Sequence, residues 1–248
     1  MNAMHPSRGI AAAALAVLLG TATNAAPAGA HDIVAKPDPK VAGAFDIIKA
    51  SAWTNGRLAT FVMDVTGKAG SIKPKKTGKL NGARANAYVW PTKLDPSVVG
   101  FAKKSGILAL AITAHPDFDD TPLFDENGDG DPANDGANWH SHWVVLTTDK
   151  ACKAGLKVRD VSPGKAVLPL TAPGLPIALD SPGMSPTLKG QRVRITVPLR
   201  GAENINFDAV AAQLQVRTKG GGPLLCVTGV FKIASKKLTM PGVIMLKK

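Results

Sequence analysis

A short acidic segment concentrates oxygen-bearing side chains that suit a hard cation. From Asp125 to Asp131 the sequence reads Asp-Glu-Asn-Gly-Asp-Gly-Asp, with oxygen-bearing side chains at alternate positions. The side chains of Asp125, Asn127 and Asp129 converge if the chain turns at Gly130, and such oxygen clusters suit Ca²⁺. We therefore predict a calcium site in this loop. The alternative is a solvated acidic turn, in which the crowded carboxylates repel one another.

The same segment resembles the first half of an EF-hand calcium loop, D-x-[DN]-x-[DN]-G. In that family the twelfth loop residue is a bidentate Glu, but here the position falls on Gly136. The flanking sequence does not predict a helix on either side, so the switching of paired EF-hands is not implied. The loop instead resembles an isolated calcium loop inserted between strands. The missing carboxylate would come from Asp131, from Asp135 or from residues 117–120.

Three histidines flank the acidic segment: His115 precedes it, and His140 and His142 follow it. Residues two apart on a strand face the same side, so His140 and His142 would point together. If the flanking strands pair antiparallel, His115 lies across from them, and three imidazoles form a site for copper or zinc. The alternative is that the histidines are half-buried and orient the carboxylates of the acidic loop. His31 would join the site only if the N-terminal segment folds back.

The segments that must position these residues are short and rich in β-formers. Residues 106–114 form a continuous apolar run typical of a central strand, and residues 143–148 form another directly after the acidic loop. Asn55-Gly56 lies between two alternating segments and predicts a hairpin. Residues 207–216 fit either a helix or a strand, and the proline-rich residues 162–186 predict an irregular connection. Further strands are predicted at residues 45–53, 58–65, 87–90, 156–161, 191–199 and 224–233.

These elements predict a mainly-β fold: a single-domain β-sandwich with a long acidic metal-binding loop between two strands. We place the sandwich at residues 44–248, after a lead-in tail at residues 31–43. The two cysteines, Cys152 and Cys226, predict one disulfide in an oxidising compartment. It would close a loop of about 75 residues and contribute roughly 4 kcal/mol. The alternative is two buried free thiols, and the absence of C-x-x-C spacing argues against a redox or cysteine-zinc site.

The first thirty residues have the pattern of a secretory signal peptide, with cleavage after Ala25 or Ala30. Their apolar run is about eleven residues long, whereas a membrane span needs roughly 20. This predicts an exported protein, periplasmic or secreted, without a transmembrane segment; the alternative is an uncleaved N-terminal anchor. Cleavage after Ala30 would make His31 the first residue, whose α-amine and imidazole form a chelating pair for copper or zinc.

The charge is strongly basic, with a formal net charge of +12, but it is unevenly distributed. Residues 105–149 contain neither lysine nor arginine and hold half of the chain's 18 acidic residues. The remaining surface is therefore more basic than the net charge indicates, which suits polyanionic polymers, anionic membranes or nucleic acid. The basic residues are dispersed and lack interleaved aromatics, and export also argues against a nucleic-acid partner. The simpler interpretation is a set of solvated lysines that maintain solubility.

Two further stretches resemble known families. Residues 45–50 (FDIIKA) followed by residues 56–61 (GRLATF) loosely resemble the first hairpin of DOMON-type sandwich domains. Those domains commonly bind haem or sugars outside the cytoplasm, and the resemblance implies axial ligands such as Met63, Met184 or the three histidines for a haem. Residues 88–91 (YVWP) through 140–143 (HSHW) resemble exported bacterial proteins of uncharacterised function. Neither resemblance implies a mechanism.

Together these features predict an extracytoplasmic metal-binding protein, with calcium in the acidic loop and copper or zinc at the adjacent histidines. One alternative is a calcium-stabilised adhesion module that contacts anionic surface polymers. Another is a metal-dependent hydrolase, in which His115, His140, His142 and Asp117 hold a metal that activates water. The sequence contains no G-x-S-x-G, H-E-x-x-H or nucleotide-binding motif that would favour an enzyme.

Overall fold

The computed structural model describes residues 31–116, 125, 129–131, 135–162 and 164–247. Within these ranges the chain forms β-strands, two short 3-10 helices and turns, with no α-helix. The predicted mainly-β fold is confirmed. The 3-10 helices are Pro96–Val99 and Asp135–Ala137. The strands are β1 (Ile33–Val34), β2 (Ile47–Thr54), β3 (Leu58–Val65), β4 (Arg84–Pro91), β5 (Ile107–Ala114), β6 (His140–Thr148), β7 (Leu156–Val158), β8 (Leu179–Asp180), β9 (Thr187–Lys189), β10 (Arg192–Pro198), β11 (Asn206–Phe207), β12 (Val210–Val216), β13 (Leu225–Ile233), β14 (Gly242–Val243) and β15 (Met245–Leu246).

The first sheet, called here the open sheet, has the strand order β1-β2-β3-β10-β9, with β15 parallel to β2. Its β2–β3 hairpin turns at Asn55-Gly56, as the sequence predicted. Gly56 adopts a φ of +87° that favours glycine. The Asn55 side-chain oxygen accepts hydrogen bonds from the backbone N–H groups of Arg57 at 3.0 Å and Leu58 at 2.8 Å. These local bonds fix the turn from which both strands extend.

The second sheet closes on itself and is called here the closed sheet. Its strand order is β5-β4-β12-β13-β7-β6, and β6 pairs with β5 to close the sheet. The short strand β8 also pairs with β6, at Trp143 and Val144. All of these pairings are antiparallel. Residues 210–216, which fitted either helix or strand in sequence, form the central strand β12. The closed sheet therefore has an inside and an outside, and both are apolar.

Side chains alternate along these strands and build a separate core on each face. Tyr88 and Trp90 of β4 and Leu110 of β5 face outward and pack with Phe61 and the other apolar residues of the open sheet. The intervening residues face inward and form a second cluster. The two antiparallel sheets thus pack face to face, as predicted for a sandwich. The inward cluster includes Ala85, Ala87, Val89, Ala109, Ala111, Val144, Leu146, Val210, Ala212, Leu214 and Val227.

Cys152 and Cys226 form the predicted disulfide, with a Cα–Cα distance of 5.2 Å. The bond joins the turn before β7 to β13. Strand pairing at this junction is short, because the register between β7 and β13 consists of the single pair Cys226–Lys157. The disulfide therefore reinforces the point at which the closed sheet is held by the fewest strand contacts.

The lead-in segment, residues 31–43, packs onto the open sheet. Ile33 lies opposite Ala50 in the β1–β2 pairing, and Asp32 forms an ion pair with Lys49 at 3.0 Å. The predicted signal peptide, residues 1–30, lies outside the described residues. Within the described part of the chain, no helix has the length and apolar character needed to cross a membrane.

Candidate metal centre

Strands β5 and β6 place three histidines at one end of the closed sheet. The two strands pair antiparallel, with Thr113 opposite His140 and Ala111 opposite His142. His115 follows β5 by one residue, and its position two residues beyond Thr113 puts it on the same inward face. β6 begins at His140, three residues earlier than the apolar run had predicted. The antiparallel pairing that would bring His115 across from the other two histidines is therefore present.

The three imidazoles are close together and almost completely shielded from solvent. The exposed fractions are 2% for His115, 0% for His140 and 1% for His142. One ring nitrogen from each histidine lies within 4.8 Å of the others. The rings of His115 and His140 are nearly perpendicular, as are those of His140 and His142, with centroids 4.6 and 4.7 Å apart. The rings of His115 and His142 lie closer to parallel, at an interplanar angle of 28°.

Hydrogen bonds determine which nitrogen of His140 carries its proton. Nδ1 lies 2.9 Å from the carbonyl oxygen of Asn138, which can only accept, so neutral His140 carries its proton on Nδ1. Its Nε2 is then an acceptor, with the Nε2 of His115 at 2.8 Å and the hydroxyl of Thr113 at 3.3 Å. A neutral His140 with its Nε2 lone pair directed into the cluster has the form that binds a metal.

Groups outside the cluster hold the other two histidines. The Nδ1 of His142 lies 3.0 Å from the hydroxyl of Ser181, which follows β8. The backbone N–H of His115 donates to the carbonyl of Gly136 at 2.7 Å, so the far end of the acidic segment returns against β5. Such second-layer contacts orient ligating histidines in metal sites.

The spacing of the ring nitrogens can be compared with metal-coordination geometry. At metal–nitrogen distances of about 2.0–2.1 Å, tetrahedral ligand atoms lie roughly 3.3 Å apart and opposed ligands about 4.1 Å apart. The His115–His140 separation of 2.8 Å is shorter, and the 4.8 Å limit of the cluster is longer. Binding an ion at a tetrahedral centre therefore requires the Nε2 atoms of His115 and His140 to move apart by about 0.5 Å. Rotation of the rings about their side-chain bonds covers changes of this size.

The three histidines are more deeply buried than in the alternative of half-buried imidazoles that orient the carboxylates of the acidic loop. All three are buried, and the contacts described above join them to imidazole, hydroxyl and carbonyl groups. Imidazole is a ligand for zinc and copper, whereas calcium prefers oxygen. His31 is exposed, and the cluster found among the described residues does not include it.

The acidic loop is described only in part. The carboxylate of Asp125 accepts hydrogen bonds from the backbone N–H groups of Asp129 at 3.1 Å and Gly130 at 2.6 Å. The carboxylate of Asp129 accepts from the N–H of Asp131 at 2.9 Å. Gly130 has a φ of +90°, consistent with the predicted turn. These bonds curl the chain around the Asp125 carboxylate.

Several predicted calcium ligands lie outside this description. Asn127 and residues 117–120 are not among the described residues, and Asp135 is described only through its backbone, in the second 3-10 helix. The calcium site stays a prediction. The two tryptophans beside the histidines, Trp139 and Trp143, are packing residues. Trp143 is buried between the sheets. Trp139 packs against Tyr88 with the rings tilted by 42°, and its indole N–H donates to the carbonyl of Gly70 at 3.0 Å.

A buried carboxyl group adjoins the outer layer of the centre. Asp180 in β8 is 3% exposed and precedes Ser181, the partner of His142. Burial raises the pKa of Asp180, while a hydrogen bond from the Thr171 hydroxyl and one from the Ser181 backbone oppose the rise. Burial in this position thus disfavours the charged form of the Asp180 carboxyl group.

Sequence reasoning identified the three histidines but not their supporting groups. Thr113 carries a usable signal, because it lies two residues before His115 and so shares its face of the strand. Ser181 and Asn138 carry none: Ser181 lies in the proline-rich connection, and Asn138 contributes a backbone carbonyl that any residue would supply.

No family model matches the chain, and searches of curated proteins and of solved structures return no match.

Proposed function

We propose that this protein is an extracytoplasmic metal-binding protein that holds copper or zinc at His115, His140 and His142. One observation carries the proposal: three fully buried imidazoles, from two paired strands, present ring nitrogens within 4.8 Å of one another. Three imidazoles leave a fourth coordination position for water, an acid or another ligand. Imidazole nitrogen favours zinc and copper over calcium and magnesium.

The surroundings of the cluster support a binding role. A buried metal site needs ligand rings held in orientation by a second layer of hydrogen bonds. Asn138 and Ser181 supply such contacts to His140 and His142. Three neutral imidazoles do not cancel the charge of a divalent ion, so an anionic fourth ligand would favour binding. Acidic residues occur from Asp117, two residues after His115, to Asp135, five residues before His140, so these carboxylates are the nearest in sequence.

Calcium in the acidic loop is the second part of the proposal. The sequence pattern supports it, as does the turn in which Asp125 accepts two backbone hydrogen bonds next to Gly130. Export is supported by the Cys152–Cys226 disulfide, because structural disulfides persist in oxidising compartments.

The direct test is metal titration of the metal-free protein. We expect one equivalent of Zn²⁺ or Cu²⁺ to bind by calorimetry. At 100 times its dissociation constant, a ligand adds about 2.7 kcal/mol of stability. For a chain of this size that raises the melting temperature by roughly 5–11 °C.

Variants separate the histidine centre from incidental binding. His140→Gln and His142→Gln should each abolish the metal-dependent rise in melting temperature, whereas His31→Gln, outside the cluster, should retain it. Circular dichroism of each metal-free variant establishes that it is folded. The proposal fails if the wild-type protein binds neither metal stoichiometrically, or if His31→Gln loses binding and the two buried variants keep it.

A further inference from the structure

The interior of the closed sheet is not completely filled. It contains a partly open cavity of ≈ 100 Å³ lined almost entirely by aliphatic side chains from the surrounding strands. The polar side chains in the lining are those of Thr113, His115 and His142. The cavity therefore reaches the histidine end of the sheet and is apolar elsewhere. Protein interiors are otherwise packed about as densely as organic crystals, so a space of this size is a specific feature.

Small side chains on neighbouring strands create this space. Ala85 of β4, Ala111 of β5 and Ala212 of β12 all line it, and these three strands are adjacent in the closed sheet. The lining elsewhere includes larger residues such as Leu146 and Leu225. A leucine or valine in place of any of these alanines would occupy much of the cavity. The small size of these alanine side chains thus helps to determine the cavity volume.

A strained segment borders the other end. Lys236, Leu238 and Met240 have φ values of 70°, 54° and 53°, in the left-handed region that non-glycine residues rarely adopt. The side chain of Leu238 lines the cavity. β5 runs toward the histidines, whereas β13 runs in the opposite direction and ends at Ile233, just before this segment. Leu238 therefore packs against the end of the closed sheet remote from His115.

A buried carboxylate anchors the strained segment. Asp208 accepts hydrogen bonds from the Ser235 hydroxyl at 2.5 Å and from the Met240 backbone N–H at 3.0 Å. These bonds hold both ends of residues 235–240, while Leu238 between them is only half-buried. Left-handed non-glycine residues cluster at ligand clamps and switch regions, where the surrounding structure enforces them. A segment anchored at both ends and strained between them is suited to act as a gate.

We propose that the closed sheet binds a small, uncharged, largely apolar molecule that enters past Leu238 and directs its single polar group toward His115 and His142. The size limit follows from the cavity volume: an apolar cavity of about 150 Å³ stays dry and binds benzene, so the present one accepts molecules of about that size or smaller. A charged molecule is excluded, because the lining contains no Asp, Glu, Lys or Arg side chain to offset the cost of burying a charge. The cavity and the proposed metal site can be tested separately, because apolar binding needs no metal.

The test uses the metal-free full-length protein, with methyl groups of alanine, valine and leucine labelled for NMR, and benzene and phenol as probes. Benzene should give saturable shifts at methyl groups that line the cavity, such as Val89, Leu214 and Val227. The methyl groups of Leu110 and Val193, in the core between the sheets, should not shift. Phenol should in addition shift the ring signals of His115 and His142. The proposal would be overturned if the shifts were equal in the interior of the closed sheet and in the core between the sheets. It would also be overturned if no methyl signal shifted up to the solubility limit of benzene.

Two variants test the wall and the gate. Ala212→Leu fills the space and should weaken benzene binding by about tenfold or more. Ala151→Leu, at an exposed position outside the cavity, should bind benzene as the wild type does. Leu238→Gly relieves the strained conformation and opens the end, so benzene should exchange faster with little change in affinity. Unchanged binding by folded Ala212→Leu would overturn the proposal; should that variant fail to fold, the wild-type titration decides the question by itself.

Discussion

The Nε2 atoms of His115 and His140 lie 2.8 Å apart, the distance of a hydrogen bond between two imidazoles. Because the Nδ1 proton of neutral His140 is directed to the carbonyl of Asn138, His115 is the donor in this bond. A metal bound by the Nε2 atoms of both residues must take the place of that proton. The metal-free centre therefore already holds one ligand pair together through a proton.

Metal binding should consequently change the tautomer of His115. In the metal-free protein we expect a slowly exchanging ring N–H on Nε2 of His115, detected by nitrogen–proton NMR. One equivalent of Zn²⁺ should remove this signal, because the lone pair needed for coordination and the proton cannot share the same atom. The Nδ1–H of His140 should remain, because its bond to the Asn138 carbonyl lies outside the cluster. Persistence of the His115 Nε2–H signal at full zinc occupancy would rule out this ligand atom.

The disulfide should make a large contribution to stability. It spans a sequence separation of 74 residues and joins β13 to the turn before β7, where strand pairing is short. We expect the Cys152→Ser/Cys226→Ser variant to lose about 4 kcal/mol of unfolding free energy by the chain-entropy estimate. That corresponds to a fall of roughly 8–16 °C in melting temperature. Urea unfolding with and without reductant measures the loss. The variant should be insensitive to reductant, and an equal response in variant and wild type would contradict the assignment.

Asp180 should lower stability at neutral pH. Burial raises its pKa above the ordinary 3.8, so the folded state holds a proton more strongly than the unfolded state does. The stability associated with this group is complete below pH 3.8 and is lost as the pH rises through the raised folded-state pKa. Asp180→Asn keeps an acceptor for Thr171 but carries no charge. We expect it to melt at a higher temperature than the wild type at pH 7, with the difference disappearing near pH 3.5.

The control for this prediction is Glu203→Gln, which removes an exposed carboxylate. Its melting temperature should differ little from that of the wild type across the same range. If the advantage of Asp180→Asn is equal at pH 3.5 and pH 7, ionisation of Asp180 is not its source.

The acidic loop makes a separate prediction about calcium. Asp125→Asn and Asp129→Asn each remove a charge from the proposed ligand set, so calcium should raise their melting temperatures less than that of the wild type. The effect should be specific to calcium, leaving the zinc or copper titration of the histidine centre unchanged. If calcium raised the melting temperatures of Asp125→Asn and Glu203→Gln equally, the acidic loop would not be the calcium site.

Long, strongly patterned strands were predictable from the sequence. β3, β5 and β10 lie within about a residue of their predicted positions, since apolar runs and alternation determine them. The two-residue strands β1, β8, β11, β14 and β15 were not predicted, because so short a segment has no period to detect. β4 begins three residues earlier than predicted, and its polar Asn86 is held by side-chain bonds to Gln213 and to the Ile72 carbonyl. Those contacts depend on residues far away in the chain.

The histidine centre was predictable in outline from two rules, the two-residue period of a strand and antiparallel pairing across a loop. The inward direction of the cluster was not, because it depends on closure of the second sheet. That closure requires β4 to pair with β12 and β7 to reach β13, pairings that no local pattern indicates. The cavity was equally hidden, since alanine in a strand is compatible with tight packing or with open space.

Strand order also constrains when this chain can fold. Arg192 of β10 pairs with Asp64 of β3 across a separation of 128 residues. Likewise, β4 cannot form its pairing with β12 until that much later strand has been synthesised. Neither sheet can be completed until most of the polypeptide has been made. Such non-local pairing slows folding, since loop-closure entropy must be overcome before the contacts form. The nascent chain should therefore lack complete sheets through most of its synthesis, and the interior that buries the histidines should close late, after both halves of the closed sheet have met.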